Sequence, residues 1–203
     1  MTLFWKDQIG MSLTDVMLLQ AVFGVAVVLC EFPSGYFADR VGYRTSLLVG
    51  TALWGAGWLF YARGASFGAI VVAEVVLGAG NAFVSGADRA LLWVSLDAAG
   101  QGGQYMRWEG RVRAGAQTSE AVSAGLGGWL YTIQPRLPLW LQVPTAALAL
   151  GSVVALREIP RPQSAEHRSH MRRALHVVRF TLWRHRRLRA AMALAVALGL
   201  SSF

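Results

Sequence analysis

Three groups of side chains in this sequence could do chemistry that a plain apolar helix does not need. Glu74, Gly78, Asn81, Ser85 and Asp88 are spaced four, three, four and three. Residues three and four apart share one face of an α-helix, so the five form a stripe. Successive members of the set Glu74, Asn81 and Asp88 then stand about 10 Å apart along the axis. Val75, Val76, Leu77, Phe83 and Val84 lie between them and are apolar. A polar stripe in lipid is penalised, so it must face protein or a watery cavity. Two readings stay open: the lining of a solute cavity, or a hydrogen-bonding seam between helices.

The second group is Arg113, Gln117 and Glu120, spaced four and three. Glu120 lies deeper than the basic cluster of Arg107, Arg111 and Arg113, which makes it a candidate buried ionisable site or the partner of Arg89 or Arg113. The third group is Asp39, Arg40 and Arg44, between two long apolar runs. Three ionic groups at a bilayer edge can act as a latch. Arg89, next to Asp88, points about 100° around the helix and needs a partner of its own. Glu31 is the candidate, and such a pair is read as structural.

Other patterns carry less. Cys30 is the single cysteine, so no disulfide framework exists. His167 and His170 have nothing to complete a metal site. Gly64-Ala65-Ser66-Phe67-Gly68 fits a hydrolase pattern that requires a strand before it; here an apolar helical run precedes it, and Ser66 reads as a helix cap. With no nucleophile, metal cluster or cofactor motif, the sequence gives no support to an enzyme, and no cofactor is expected.

The elements that must position these groups are membrane helices. The chain is 55% hydrophobic and 15% charged, against roughly 25% charged in ordinary soluble domains. A hydrocarbon core of roughly 30 Å needs about 20 helical residues. Runs at 16–36, 46–62, 67–96, 105–131 and 139–156 meet or approach that length. Ser12-x-x-Asp15 is a capping-box start for the first. Residues 1–11 read as a loop, with Trp5 suited to a membrane interface. The third run is long and must tilt or project. Arg157 to Arg187 is polar and basic, and Met171 to Arg189 reads as a basic amphipathic helix on the inner leaflet. The apolar run at 188–203 is too short to span.

The expectation is an all-α multi-pass membrane bundle of about five complete spans and the start of another. Residues 1–157 would form the bundle, 158–187 a cytoplasmic Arg-rich linker, and 188–203 the start of the next span. Ten of the nineteen Lys and Arg residues lie between Arg157 and Arg189. Arg40, Arg44, Arg107, Arg111 and Arg113 fall on the same side, while Lys6, Arg63 and Arg136 fall on the other. The positive-inside rule places the 35–44 turn and the linker in the cytoplasm. Basic residues gathered in the gaps between apolar runs are not the pattern of a nucleic-acid binder. Arginine supplies every basic residue except Lys6, which suggests a bacterial source and a cell-membrane location.

The stretch Gly35-Tyr36-Phe37-Ala38-Asp39-Arg40-Val41-Gly42-Tyr43-Arg44 resembles the loop signature of the major facilitator superfamily: glycine, three residues, Asp-Arg/Lys, any, Gly, any, Arg/Lys. The family pattern often ends in a second basic residue, where this chain has Thr45. In the family the signature joins the second and third of twelve helices, and its Asp and Arg bridge to neighbours and help hold the outward-facing state. The resemblance implies a chain lacking the first helix and most of the second half, so the helices such a latch closes against lie outside it. A second signature, Arg-x-x-x-Gly-x-Gly-x-Ala, is met at Gly78, Gly80 and Ala82, with Glu74 in the arginine position that the family ties to proton transfer. The family's antiporter Gly-Pro pair is not met, since Leu126 follows Gly125.

What the resemblance implies is secondary active transport of a small solute by alternating access, as a permease fragment. Efflux of a small organic molecule is the first expectation and proton coupling the default mechanism. The latch would be Gly35, Asp39, Arg40, Gly42 and Arg44; the cavity or coupling residues would be Glu74, Asn81, Asp88, Arg89, Gln117 and Glu120. The partners would be the lipid bilayer, a small-molecule substrate, protons and the C-terminal half of the same transporter. The competing reading is a non-transporting membrane scaffold or sensor built on a half-bundle.

Overall fold

The computed structural model describes residues 5, 7, 9–64 and 66–156. Among these the regular structure is helical, with no strand: α1 (Leu13–Val41), α2 (Tyr43–Arg63), α3 (Phe67–Ser85), α4 (Ala87–Ala98), a short 3-10 turn at Gly102–Gln104, α5 (Tyr105–Ile133) and α6 (Leu137–Ala155). Leu13–Val41, Phe67–Ala98 (α3 and α4 together) and Leu137–Ala155 are long and apolar enough to cross a membrane. α2 has 21 residues and dilutes its apolar side chains with Gly, Ser, Thr and Trp. α5 has 29 and opens with three arginines. The fold is an all-α multi-pass membrane bundle.

Local sequence explains where the helices start. Ser12 closes a reciprocal capping box: its Oγ accepts from Asp15 N at 3.2 Å and its own N–H donates to Asp15 Oδ2 at 2.9 Å. Ser66 Oγ accepts from Ala69 N at 3.3 Å and starts α3. Each satisfies a backbone donor that the first helical turn leaves open.

α3 lies between α1 and α2 and packs broadly on both, while α2 also packs on α6. The close approach rests on missing side chains. A Cβ on Gly78 would stand 2.8 Å from Phe23 O and from Ala26 Cβ on α1, and one on Gly80 would stand 2.9 Å from Gly50 O on α2. Between them these contacts fix α3 on two sides. Ser34 of α1 adds a hydrogen bond to Ala82 O at 2.9 Å, and Ser46 of α2 one to Phe83 O at 2.8 Å.

Two apolar cores sit at opposite ends of this trio. One gathers Trp5, Leu19, Tyr61, Ile70, Ala73 and Leu139. The other, next to the α1–α2 junction, gathers Ala38, Leu47, Ala87, Leu91 and Val153. The ends are called here the Tyr61 end and the junction end.

Three expectations change. The 35–44 stretch is mostly helix: α1 runs through Pro33, Asp39 and Arg40 to Val41, and α2 begins at Tyr43. The reversal is confined to Gly42, whose φ of 130° is open to glycine and strained for other residues. The long third span, Phe67–Ala98, carries a one-residue turn at Gly86, whose φ of −99° and ψ of −34° stay in the right-handed helical region. Trp5, expected in a loop, is helical, only 2% exposed and packed in the core of the Tyr61 end. The expected linker at 158–187 and the apolar run at 188–203 lie outside the described residues.

Candidate functional site

The junction end carries most of the charge that the sequence singled out. Because α1 and α2 meet across one residue, Asp39, Arg40 and Arg44 are held on helix ends. The Arg40 guanidinium lies over the Tyr36 ring, 5.1 Å from its centroid. Arg44 crosses to the last turn of α6 and donates from Nη2 to Val154 O at 2.7 Å. A cation on the final carbonyls of a helix answers both an unpaired acceptor and the negative end of the helix dipole. For Arg40 and Arg44 the structure gives a ring and a backbone carbonyl. No side-chain pattern announces a carbonyl acceptor, since every residue carries one.

Two clefts open beside this junction, each of about 410 Å³. The first is lined by Glu31, Ser34, Asp39, Tyr43, Ser85 and Arg89. It brings the expected pair Glu31 and Arg89 to one space, together with Asp39 from the signature. The second lies between α4 and α5, with Asp88, Arg89, Glu109 and Arg113 around Leu92 and Val112. Arg89 lines both clefts. Asp88 Oδ1 accepts the Arg89 backbone N–H at 2.6 Å. Tyr105 packs edge-on against Trp93, with centroids 5.3 Å apart.

The other sequence candidates lie elsewhere. Glu74 is 6% exposed and receives the Tyr61 hydroxyl from α2. Trp5 and Trp58 pack on that tyrosine, with ring centroids at 6.1 and 5.6 Å. Asn81 is half-buried two turns further along α3, and Gln117 and Glu120 are exposed on α5. The structure therefore gathers Asp88, Arg89 and Arg113, and leaves Glu74, Asn81, Gln117 and Glu120 apart from them. Sequence reading missed Tyr61. Its signal is faint: Tyr61 lies close to the α2–α3 turn and Glu74 deeper on the returning helix, so only a long side chain bridges the offset.

Compared with known families, the whole chain, residues 1–203, matches the model of the Major Facilitator Superfamily. The chain belongs to that superfamily. It is thus a multi-pass membrane transporter. No curated protein matches it. Within the superfamily's second signature, Gly78 and Gly80 now have a physical role, since they let α3 touch α1 and α2. The signature's arginine is replaced by Glu74, and this superfamily member satisfies that acid with a tyrosine on the adjacent helix. Members of the superfamily are as a rule transporters, not enzymes.

Proposed function

We propose that this superfamily member exports a small organic solute across a bacterial cell membrane by alternating access, driven by protons, with the junction end facing the cytoplasm. Residues 1–157 form its first bundle, 158–187 the linker, and 188–203 the start of the next span. The C-terminal half of the transporter supplies the opposing wall. In such a transporter two bundles rock about a site between them, and each state needs a closure at one end.

The observation that carries this reading is the construction of the junction. A single Gly42 reverses the chain, and Arg44 of the signature grips the end of α6. The element next to the signature is thereby tied to the helix that leads into the basic linker. The arginine count by side supports a cytoplasmic location for this end.

Glu120 is the proposed proton carrier, and Asn81 and Asp88 are proposed to line the solute path at two levels. The test is transport of candidate solutes by the full-length transporter in proteoliposomes, with and without an imposed proton gradient. Solute flux that follows the gradient supports the mechanism. Glu120→Gln is expected to abolish the pH dependence, and unchanged flux across pH rules that role out.

A further inference from the structure

The α4–α5 cleft has a charge pattern that neither signature accounts for. Its walls match: α4 offers Asp88 and Arg89, and α5 offers Glu109 and Arg113. Two acids and two guanidinium groups give a neutral set with both signs on each wall. Among the described residues no ion pair joins any two of the four. Asp88 is engaged by the backbone N–H of Arg89, and Glu109 lines the opposite wall. Glu109 and Arg113 stand four apart on one helix face, a spacing that permits a local pair, and yet both line the cleft.

The space is about 410 Å³, within the range of small-ligand sites. Leu92 and Val112 give it an apolar part. A ligand with a single charge would meet one favourable pair and one repulsive pair here. A ligand with an ammonium-type cation and a carboxylate or phosphate would meet a partner for each, and an aliphatic spacer would cover the two apolar side chains. We infer that the α4–α5 cleft binds a small zwitterion, with Asp88 and Glu109 facing its cation and Arg89 and Arg113 its anion. Calling that zwitterion the transported solute rests on the transport reading; the binding itself does not. A free solute and a zwitterionic lipid headgroup share this chemistry.

The test uses the full 203-residue chain in nanodiscs of phosphatidylglycerol, which has no zwitterionic headgroup. Equilibrium binding is measured for 6-aminohexanoate, and for hexylammonium and hexanoate as its single-charge halves. The zwitterion is expected to bind about tenfold or more tighter than either half. Glu109→Gln and Arg113→Gln are each expected to weaken it by about tenfold or more, Arg113→Lys by less, and Arg136→Gln not at all. Helical circular dichroism reports that each variant is folded. Competition by added phosphatidylethanolamine assigns the cleft to a headgroup; its absence assigns it to the free solute. No binding, equal binding of the halves, or affinity indifferent to Glu109 and Arg113 overturns the inference. Those results leave transport by the full-length protein to be judged by its own flux assay.

Discussion

α3 and α5 are both long helices of one bundle, and they are held in opposite ways. α3 buries Ile70, Ala73, Glu74, Leu77, Gly78, Gly80 and Ala82, and two of its glycines touch the backbones of neighbouring helices. α5 buries no residue along 29 positions, and its glycines have nothing within 4 Å. The same residue type therefore does different work. On α3 a glycine makes room; on α5 it weakens the helix and makes no contact in return. The contrast extends to acids. Glu74 is fixed by Tyr61 in a packed core, whereas Glu120 stands exposed. A rigid α1–α3 trio is the frame, and α5 is the element whose faces remain open to other groups.

The sharpest way to break that contrast is a pair of glycine substitutions. Gly80→Ala places a methyl 2.8 Å from Trp54 Cδ1 and 2.9 Å from Gly50 O, and is expected to cost about 1–3 kcal/mol. Gly115→Ala meets nothing and is expected to stabilise by up to about 1 kcal/mol. Denaturant unfolding in detergent reads both; shifts of the same sign would erase the distinction. Next comes Tyr61→Phe, which strips the buried Glu74 carboxyl of its hydroxyl donor at an expected cost of about 1–2 kcal/mol. Glu120→Gln on the exposed face is expected to stay within about 0.5 kcal/mol. Arg44→Gln is expected to cost about 1 kcal/mol from the loss of one charged hydrogen bond at a helix end. Its signature is local: faster hydrogen exchange at the amides of the last turn of α6, with those at the start of α1 unchanged. Uniformly faster exchange would mean that Arg44 holds the bundle as a whole and not that one contact.

Much of the frame was legible in the sequence. Apolar run lengths located the helices, and Ser12, Asp15 and Ser66 marked two of their starts through local side-chain chemistry. The signature from Gly35 to Arg44 was readable as a motif, but its shape was not. Charged residues between apolar runs look like a loop, yet Asp39 and Arg40 are tolerated in a helix and only Gly42 needs to leave it. Gly86 was invisible for a related reason: one glycine in an apolar run is compatible with continuous helix, and nothing in Ser85-Gly86-Ala87 marks a turn. Asp88, two residues beyond it, lines the α4–α5 cleft. Glu31 and Arg89 were paired on depth alone; they line one cleft, but no ion pair joins them among the described residues. The reach of Arg44 to Val154 and of Tyr61 to Glu74 depends on how neighbouring helices are offset, which residue spacing within one helix does not encode.

Alternating access closed at the junction end is tested most directly by cysteine accessibility in the full-length transporter. In a Cys30→Ser background, single cysteines at Ser85, beside the first cleft, and at Ser66, exposed at the Tyr61 end, are labelled with an impermeant maleimide. The experiment is repeated with Asp39→Asn, in vesicles of each orientation. Loss of the signature carboxylate is expected to raise labelling at position 85 and lower it at position 66. Labelling identical with and without Asp39→Asn at both positions would contradict a latch at this end of the bundle.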